Sequence, residues 1–127
     1  MPARFGFEPQ QHNRARGSSA ERAAADYLRA HGYEIVAQNV ATDAGEIDVV
    51  ARDGETLCFI EVKARAGGGY GPAIEAVDAR KRYRLARAAA LYLAWNPTDR
   101  PCRFDVLGLD AGDAGWEYTL LRDAFSL

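Results

Sequence analysis

Two strand-like segments joined by Asp53-Gly54 constrain the fold of this chain most. Residues 46–52 (EIDVVAR) and residues 55–63 (ETLCFIEVK) are rich in the β-branched and aromatic residues that favour strands. Asp-Gly between two such segments is a strong signal for a two-residue hairpin turn. The sequence therefore predicts an antiparallel β-hairpin near the middle of the chain.

The predicted turn determines which side chains share a face. It places Asp48 opposite Phe59 and Glu46 opposite Glu61. Because side chains alternate along a strand, Glu46, Asp48, Glu61 and Lys63 are predicted to project from one side of the hairpin. Asp48 and Glu61 are then diagonal neighbours, roughly 7–8 Å apart at the backbone. The other side is predicted to be an apolar packing face, made of Ile47, Val49, Cys58, Ile60 and Val62.

The paired carboxylates predict a divalent-metal site. Buried acids are costly unless something pairs with them, and Mg²⁺ or Mn²⁺ prefers oxygen ligands. Asp48 and Glu61 are therefore predicted to hold one such ion, which can activate a water and stabilise charge on a phosphate. Lys63 is a compact charge that can orient the attacking water or neutralise the phosphate. Two alternatives stay open. The acids can lie on a solvated face of the sheet, and Lys63 can form a plain ion pair with Glu61 or Glu46.

Helices are predicted before and after this hairpin. Ser18 to Glu21 matches the S-x-x-E capping box, so a helix is predicted to begin there and to end at Gly32. A second helix is predicted over about residues 73–94, after a glycine-rich loop at residues 65–71. Further strands are predicted at residues 33–40, 102–109 and 116–121.

This order of elements predicts an α/β domain, with a mixed central sheet of about five strands flanked by two helices. Residues 1–16 show no periodicity and are predicted to be a flexible N-terminal arm, which leaves residues 17–127 as a single domain. A chain of 127 residues with 48% hydrophobic residues fits one domain with its own core.

Composition excludes a membrane helix and a secretory signal. No stretch approaches the roughly 20 apolar residues that span a bilayer, and the N-terminus lacks an apolar segment. We therefore expect a cytoplasmic protein with no membrane partner.

The net charge of −2 does not indicate a nucleic-acid binder by itself. One segment is rich in cations and contains Arg80, Lys81, Arg82, Arg84 and Arg87. It can form either a basic patch or a solvated helix face.

The spacing of Asp48 from Glu61-Val62-Lys63 resembles the PD-(D/E)xK nuclease motif. A wider set of positions between residues 17 and 109 is similar to the YraN family of small bacterial proteins. That set comprises Gly17, Glu21, Tyr27-Leu28, Gly32-Tyr33, Asn39, Gly45-Glu46-Ile47-Asp48, Phe59-Ile60-Glu61-Val62-Lys63, Arg65, Tyr70-Gly71, Lys81 and Arg103-Phe104-Asp105-Val106. Two departures are Val40-Ala41, where the family often has a basic or aromatic residue, and Ile47, where the nuclease motif has proline.

The resemblance implies a restriction-endonuclease-like fold and a relation in sequence to Holliday-junction resolvases. It implies an endonuclease for which DNA is favoured over RNA, branched or otherwise structured DNA in particular, and we expect the Val62 carbonyl to be a further metal ligand. It also implies a catalytic acid at Glu21, for which the capping box is the alternative. Phosphate contacts are expected from Lys81, Arg65, Arg80 and Arg84, although the long side chain of Lys81 has the alternative of reaching water.

Three functions remain in competition on the sequence. The first is the metal-dependent endonuclease, for which a homodimer is an open expectation because a junction needs two cuts. The second is a non-catalytic nucleic-acid-binding module, and the third is a protein-interaction domain. The set of Asp48, Glu61 and Lys63 favours the first, since neither alternative needs these residue types together.

Overall fold

The computed structural model describes residues 11–66 and 72–126, and side chains from residue 19 onward. Its five strands are β1 (Glu34–Thr42), β2 (Gly45–Asp53), β3 (Thr56–Arg65), β4 (Cys102–Gly112) and β5 (Gly115–Phe125). They form one sheet in the order β1-β2-β3-β4-β5, in which β3 and β4 are parallel and the other pairs antiparallel. The helices are α1 (Gln11–Ala30) and α2 (Ala79–Trp95). The predicted α/β class, the mixed five-stranded sheet and the restriction-endonuclease-like architecture are confirmed.

The sheet separates two hydrophobic cores, one beneath each helix. The core under α1 contains Ala24, Leu28, Val49, Ala51, Cys58, Ile60, Leu107 and Leu109. The core under α2 contains Val40, Ile47, Val50, Leu57, Phe59, Leu85, Ala88 and Ala89. Neighbouring residues of β2 and β3 thus supply opposite cores, which is why residues 49–51 of β2 and 57–60 of β3 are continuously apolar and buried.

Both predicted helix starts are wrong. α1 begins at Gln11 and runs through Ser18, so the S-x-x-E pattern does not cap it; residues 1–10 of the predicted arm lie outside the described residues. The second helical segment divides into a 3-10 helix, Ala73–Ala76, and α2. The division lies at Asp78, whose extended backbone and side chain cap α2 by accepting the Lys81 N–H at 3.0 Å. In the described part, neither helix is long and apolar enough to cross a membrane.

The hairpin between β2 and β3 forms one residue later than predicted. Asp53 pairs with Thr56, so Gly54 and Glu55 are the turn residues. Gly54 has φ +62°, and glycine in the first central position is typical of a type II′ turn. Moving the turn by one residue shifts the pairing by two, so side chains keep their faces but change their partners. Asp48 and Glu61 are therefore the next residues beyond the last pair, Val49↔Ile60, and Asp48 does not lie opposite Phe59.

A buried charge network ties the chain together at the turn end of this hairpin. Asp105 on β4 is fully buried and accepts from the Tyr33 hydroxyl at 2.7 Å and from the Asp123 N–H at 2.8 Å. The Arg103 guanidinium donates to the same carboxylate at 2.8 and 2.9 Å and reaches Asp53 at 2.8 Å. The network therefore links the hairpin, the residue that precedes β1, and both strands at the β5 edge.

Candidate functional site

β1 and β2 both change face at the same level of the sheet. The pairs Gln38↔Val49 and Val40↔Ile47 flank Asn39 and Asp48, which do not pair with each other. Val49 packs under α1, whereas Val40 and Ile47 pack under α2. Asn39 has φ +54°, a left-handed conformation that interrupts the strand. The prediction that Ile47 shares a face with Val49 is therefore wrong, because strict alternation fails at Asp48.

The change of face turns the Asp48 carboxylate toward the gap between β2 and β3. Its Oδ2 accepts the backbone N–H of Val62 at 2.8 Å, in place of a strand-to-strand bond. Asp48 also lines a cavity of about 180 Å³ beneath α1, together with Glu21 and Asn39. The structure therefore brings the predicted residues Glu21, Asp48 and Val62 to one place, and Glu21 lies there on the face of α1 that carries buried Ala24 and Leu28.

The Asp48 carboxylate lies in a setting that opposes its charge. Loss of contact with water raises the pKa of Asp48 well above its ordinary value, and the nearby charge of Glu61 raises it further. Glu46 and Glu21 add smaller effects in the same direction, while the hydrogen bond from Val62 lowers the pKa. The fold thus gathers acids around a desolvated carboxylate, an arrangement common at functional sites.

Glu61 lies between this acidic group and the cations of α2. Burial raises the pKa of Glu61, and the charge of Glu46 acts in the same direction. Three cations oppose that rise, in decreasing order Arg84, Lys81 and Lys63. Glu61 and Lys63 therefore face α2, whereas Asp48 approaches from the α1 side. The prediction that all four polar side chains of the hairpin project from one face is therefore wrong.

The remaining predicted residues lie at different distances from this group. Arg84 and Lys81 act directly on Glu61, whereas exposed Arg80 acts on Asp78 at the start of α2. Arg65 lies at the end of β3 beside Asp110, and residues 67–71 of the predicted glycine-rich loop lie outside the described residues. Among the residues that the structure describes, no three His, Cys, Asp or Glu side chains are gathered to hold a metal. A metal at this place would therefore rest on two carboxylates, a backbone carbonyl and water.

Sequence reasoning assigned no role to two residues that shape the site. Asn39 lines the Asp48 cavity in its left-handed conformation, and no local pattern marks a change of face in both strands at once. Gly45, the first residue of β2 after the turn from β1, has φ +135°, and a Cβ there would lie 3.0 Å from Cδ of Arg84. The absent side chain leaves room for Arg84 to cross this turn on its way to Glu61. A glycine just before Glu46 was the available signal for a close approach.

Gly45→Ala is expected to lower the free energy of unfolding by about 1–3 kcal/mol, because its backbone conformation is strained for any residue with a Cβ. It should also push Arg84 aside and raise the pKa of Glu61 further. Urea denaturation and a carboxyl NMR titration of Glu61 measure the two effects. Gly115→Ala is the matched control, since Gly115 also has a positive φ, +122°, but a Cβ added there would meet no atom within 4 Å. An unchanged Glu61 titration in Gly45→Ala would contradict the contribution of Arg84.

Comparisons with known proteins agree in one family. The model of the uncharacterised protein family UPF0102 matches residues 20–109, which include the hairpin, the cavity and α2. A UPF0102 protein of Symbiobacterium thermophilum is 49% identical over 111 residues, covering 86% of this chain and 94% of the relative. A UPF0102 protein of Halorhodospira halophila is 44% identical over 112 residues, covering 88% of each chain. A third, from Bordetella parapertussis, is 44% identical and covers 98% of this chain and 70% of its own length.

Proposed function

This chain belongs to the uncharacterised protein family UPF0102, and we propose that it is a metal-dependent endonuclease that hydrolyses phosphodiester bonds of DNA. Its membership confirms the resemblance to the YraN family. The observation that carries the proposal is the meeting of Asp48 and Glu61 where β2 and β3 separate. Both carboxylates have raised pKa values, with lysine and arginine close by. A structural ion pair would be expected to neutralise its acids, and this pair is only partly neutralised.

The donor set fits a hard divalent cation. Asp48, Glu61 and the Val62 carbonyl would hold Mg²⁺ or Mn²⁺, and water would complete the shell, as Mg²⁺ commonly keeps several waters. A cation here would relieve the repulsion that raises the pKa of Asp48. When bound, such an ion activates water and stabilises charge on the phosphate.

Cationic side chains near Glu61 would orient the water and bind the phosphates of the DNA. Lys63 lies two residues after Glu61 and would orient the attacking water. Arg84 and Lys81 approach Glu61 from α2 and would hold phosphates on that side, with Arg65 and Arg80 further out. Glu21 lines the same cavity as Asp48 and would hold a water there. We place this activity in the cytoplasm, and two cuts in a branched substrate would call for a homodimer.

Lys63→Ala is expected to reduce cleavage by a factor of about 10²–10³, the usual cost of removing one preorganised group that stabilises charge in the transition state. The assay compares a labelled four-way junction with a linear duplex of matched sequence, in Mg²⁺ or Mn²⁺. Arg100→Ala is the control, because Arg100 lies at the far end near Glu55 and its replacement removes one positive charge without touching the site. Equal cutting by Lys63→Ala and wild type would remove Lys63 from the mechanism. Metal-independent binding without cutting by the wild type would instead favour the non-catalytic nucleic-acid-binding module.

A further inference from the structure

A second groove continues from the Asp48 cavity along α1. It has a volume of about 390 Å³ and runs between α1 and β1, the strand at one edge of the sheet. Glu21, Gln38 and Asn39 line both the groove and the cavity. The two spaces therefore share a wall, and a ligand in the groove would extend toward the carboxylate of Asp48.

The helix side of this groove carries arginines on one ridge. Arg22 and Arg29 are spaced at two helical turns with small Ala25 between them. Arg29 pairs with Asp26 at 3.7 Å, whereas exposed Arg22 takes part in no ion pair within the described part of the chain. Arg22 can therefore bind a phosphate without first breaking an ion pair.

Asn39 occupies the junction of groove and cavity. Its left-handed backbone is one that asparagine tolerates better than most residues, so conformation alone is one reason for an asparagine here. Its side chain also offers a donor and an acceptor at a wall that both spaces share. Such an amide is suited to contact the sugar or base of a nucleotide beside the reacting phosphate.

We propose that the groove binds a single, unpaired strand of the nucleic acid next to the scissile phosphodiester, with one phosphate on Arg22 and a nucleoside against Asn39. The proposal rests on the proposed nuclease function and narrows its substrate to DNA that has a separated strand at the cut. The size of the groove supports a strand rather than a duplex, because about 390 Å³ is the volume of a small-molecule pocket. The groove lining is charged and polar, with Arg22, Arg29, Gln38 and Asn39 as well as the acids Glu21 and Asp26, so it suits a phosphate and a nucleoside better than an apolar ligand.

The test measures binding and cleavage separately. Fluorescence anisotropy in EDTA compares a blunt duplex with the same duplex carrying a single-stranded 3′ tail of about ten nucleotides, a typical length for single-strand sites. The wild type should prefer the tailed duplex. Arg22→Gln should weaken tailed binding several-fold and make its salt dependence shallower by about 0.7 in log–log slope. Binding of the blunt duplex should not change, and Arg100→Gln should change neither.

Asn39→Gly separates the side chain of Asn39 from its backbone, because glycine adopts the left-handed conformation freely. It should weaken tailed binding while the melting temperature stays close to that of the wild type. Wild-type affinity in Asn39→Gly would overturn the contact at Asn39. Equal losses on blunt and tailed duplexes in Arg22→Gln, or no loss, would overturn the groove itself.

Cleavage of both duplexes in Mn²⁺, run in parallel, distinguishes the two proposals. A wild type that prefers the tailed duplex but cuts neither duplex nor the four-way junction would overturn the nuclease function and leave strand binding by the groove standing. A wild type that cuts, with Arg22→Gln cutting and binding equally well, would retain the nuclease and overturn the groove.

Discussion

Asp48→Asn is expected to abolish DNA cleavage and, at the same time, to raise the melting temperature of the metal-free protein. The side-chain oxygen of asparagine can still accept the Val62 N–H, so the hairpin keeps its bond. The substitution removes the negative charge of Asp48, which the nearby charge of Glu61 repels. A gain of about 1 kcal/mol would raise the melting temperature by roughly 3–6 °C in a domain of this length. Opposite signs for activity and stability are typical of a functional site.

The pH dependence follows from the direction of the pKa. In the folded protein the pKa of Asp48 lies above its ordinary value of 3.8, so the folded state binds the proton more tightly than the unfolded state does. The contribution of this group to stability is therefore present at low pH and is lost as the pH rises through the raised pKa. The stability gained by Asp48→Asn should consequently grow from about pH 4 toward neutrality, in thermal melts without metal.

Divalent metal should reverse the order of the melting temperatures of the wild type and Asp48→Asn. Mg²⁺ or Mn²⁺ should raise the melting temperature of the wild type at neutral pH, and less so as protons compete at lower pH. Asp48→Asn should not respond, whereas Asp43→Asn, which changes an exposed acid in the neighbouring turn, should respond like the wild type. If Asp48→Asn melts well below the wild type in the absence of metal, Asp48 is a structural acceptor and the site assignment fails.

Asp105→Asn is expected to have the largest effect on stability, a loss of about 3–5 kcal/mol in the free energy of unfolding. The carboxylate accepts from Tyr33, Arg103 and Asp123 while fully buried. Asparagine has one acceptor oxygen, and its amide would point donors at donors. The Arg103 guanidinium would also lose its buried counter-charge. Since small domains are stable by about 5–15 kcal/mol, the variant should lose a large fraction of its stability and unfold at a markedly lower urea concentration than the wild type.

Urea denaturation followed by circular dichroism measures this loss, with two variants that keep it interpretable. Asp53→Asn removes the more exposed partner of Arg103 and should cost at most about 1 kcal/mol. Tyr33→Phe removes one donor to Asp105 and should cost about 0.5–1.5 kcal/mol while the chain still folds. A loss in Asp105→Asn no greater than that in Asp53→Asn would show that the network contributes little.

Much of the hairpin was predictable because its signals are local. Strand propensity and the Asp53-Gly54 dipeptide placed the turn within one residue, and a one-residue error moves the pairing by two. Since side chains alternate with a period of two, Glu61 and Lys63 kept their predicted face despite the wrong partners. The start of α2 was mispredicted because helical periodicity continues through Asp78, where one side chain caps a new helix.

Most elements and the residue types of the candidate site could be predicted from local sequence, because propensity, turn chemistry and the spacing of Asp48 from Glu61 and Lys63 are properties of neighbouring residues. How those groups meet depends on the packing of the whole domain. Asn39 adopts its left-handed conformation in β1 at the level where β2 changes face at Asp48. Alternation within a single strand does not predict a change that involves two strands. The burial of Asp105 and the reach of Arg84 across Gly45 likewise depend on segments far apart in the chain. Alternation and propensity act over a few residues, whereas desolvation and charge pairing depend on which distant groups the packed sheet brings together.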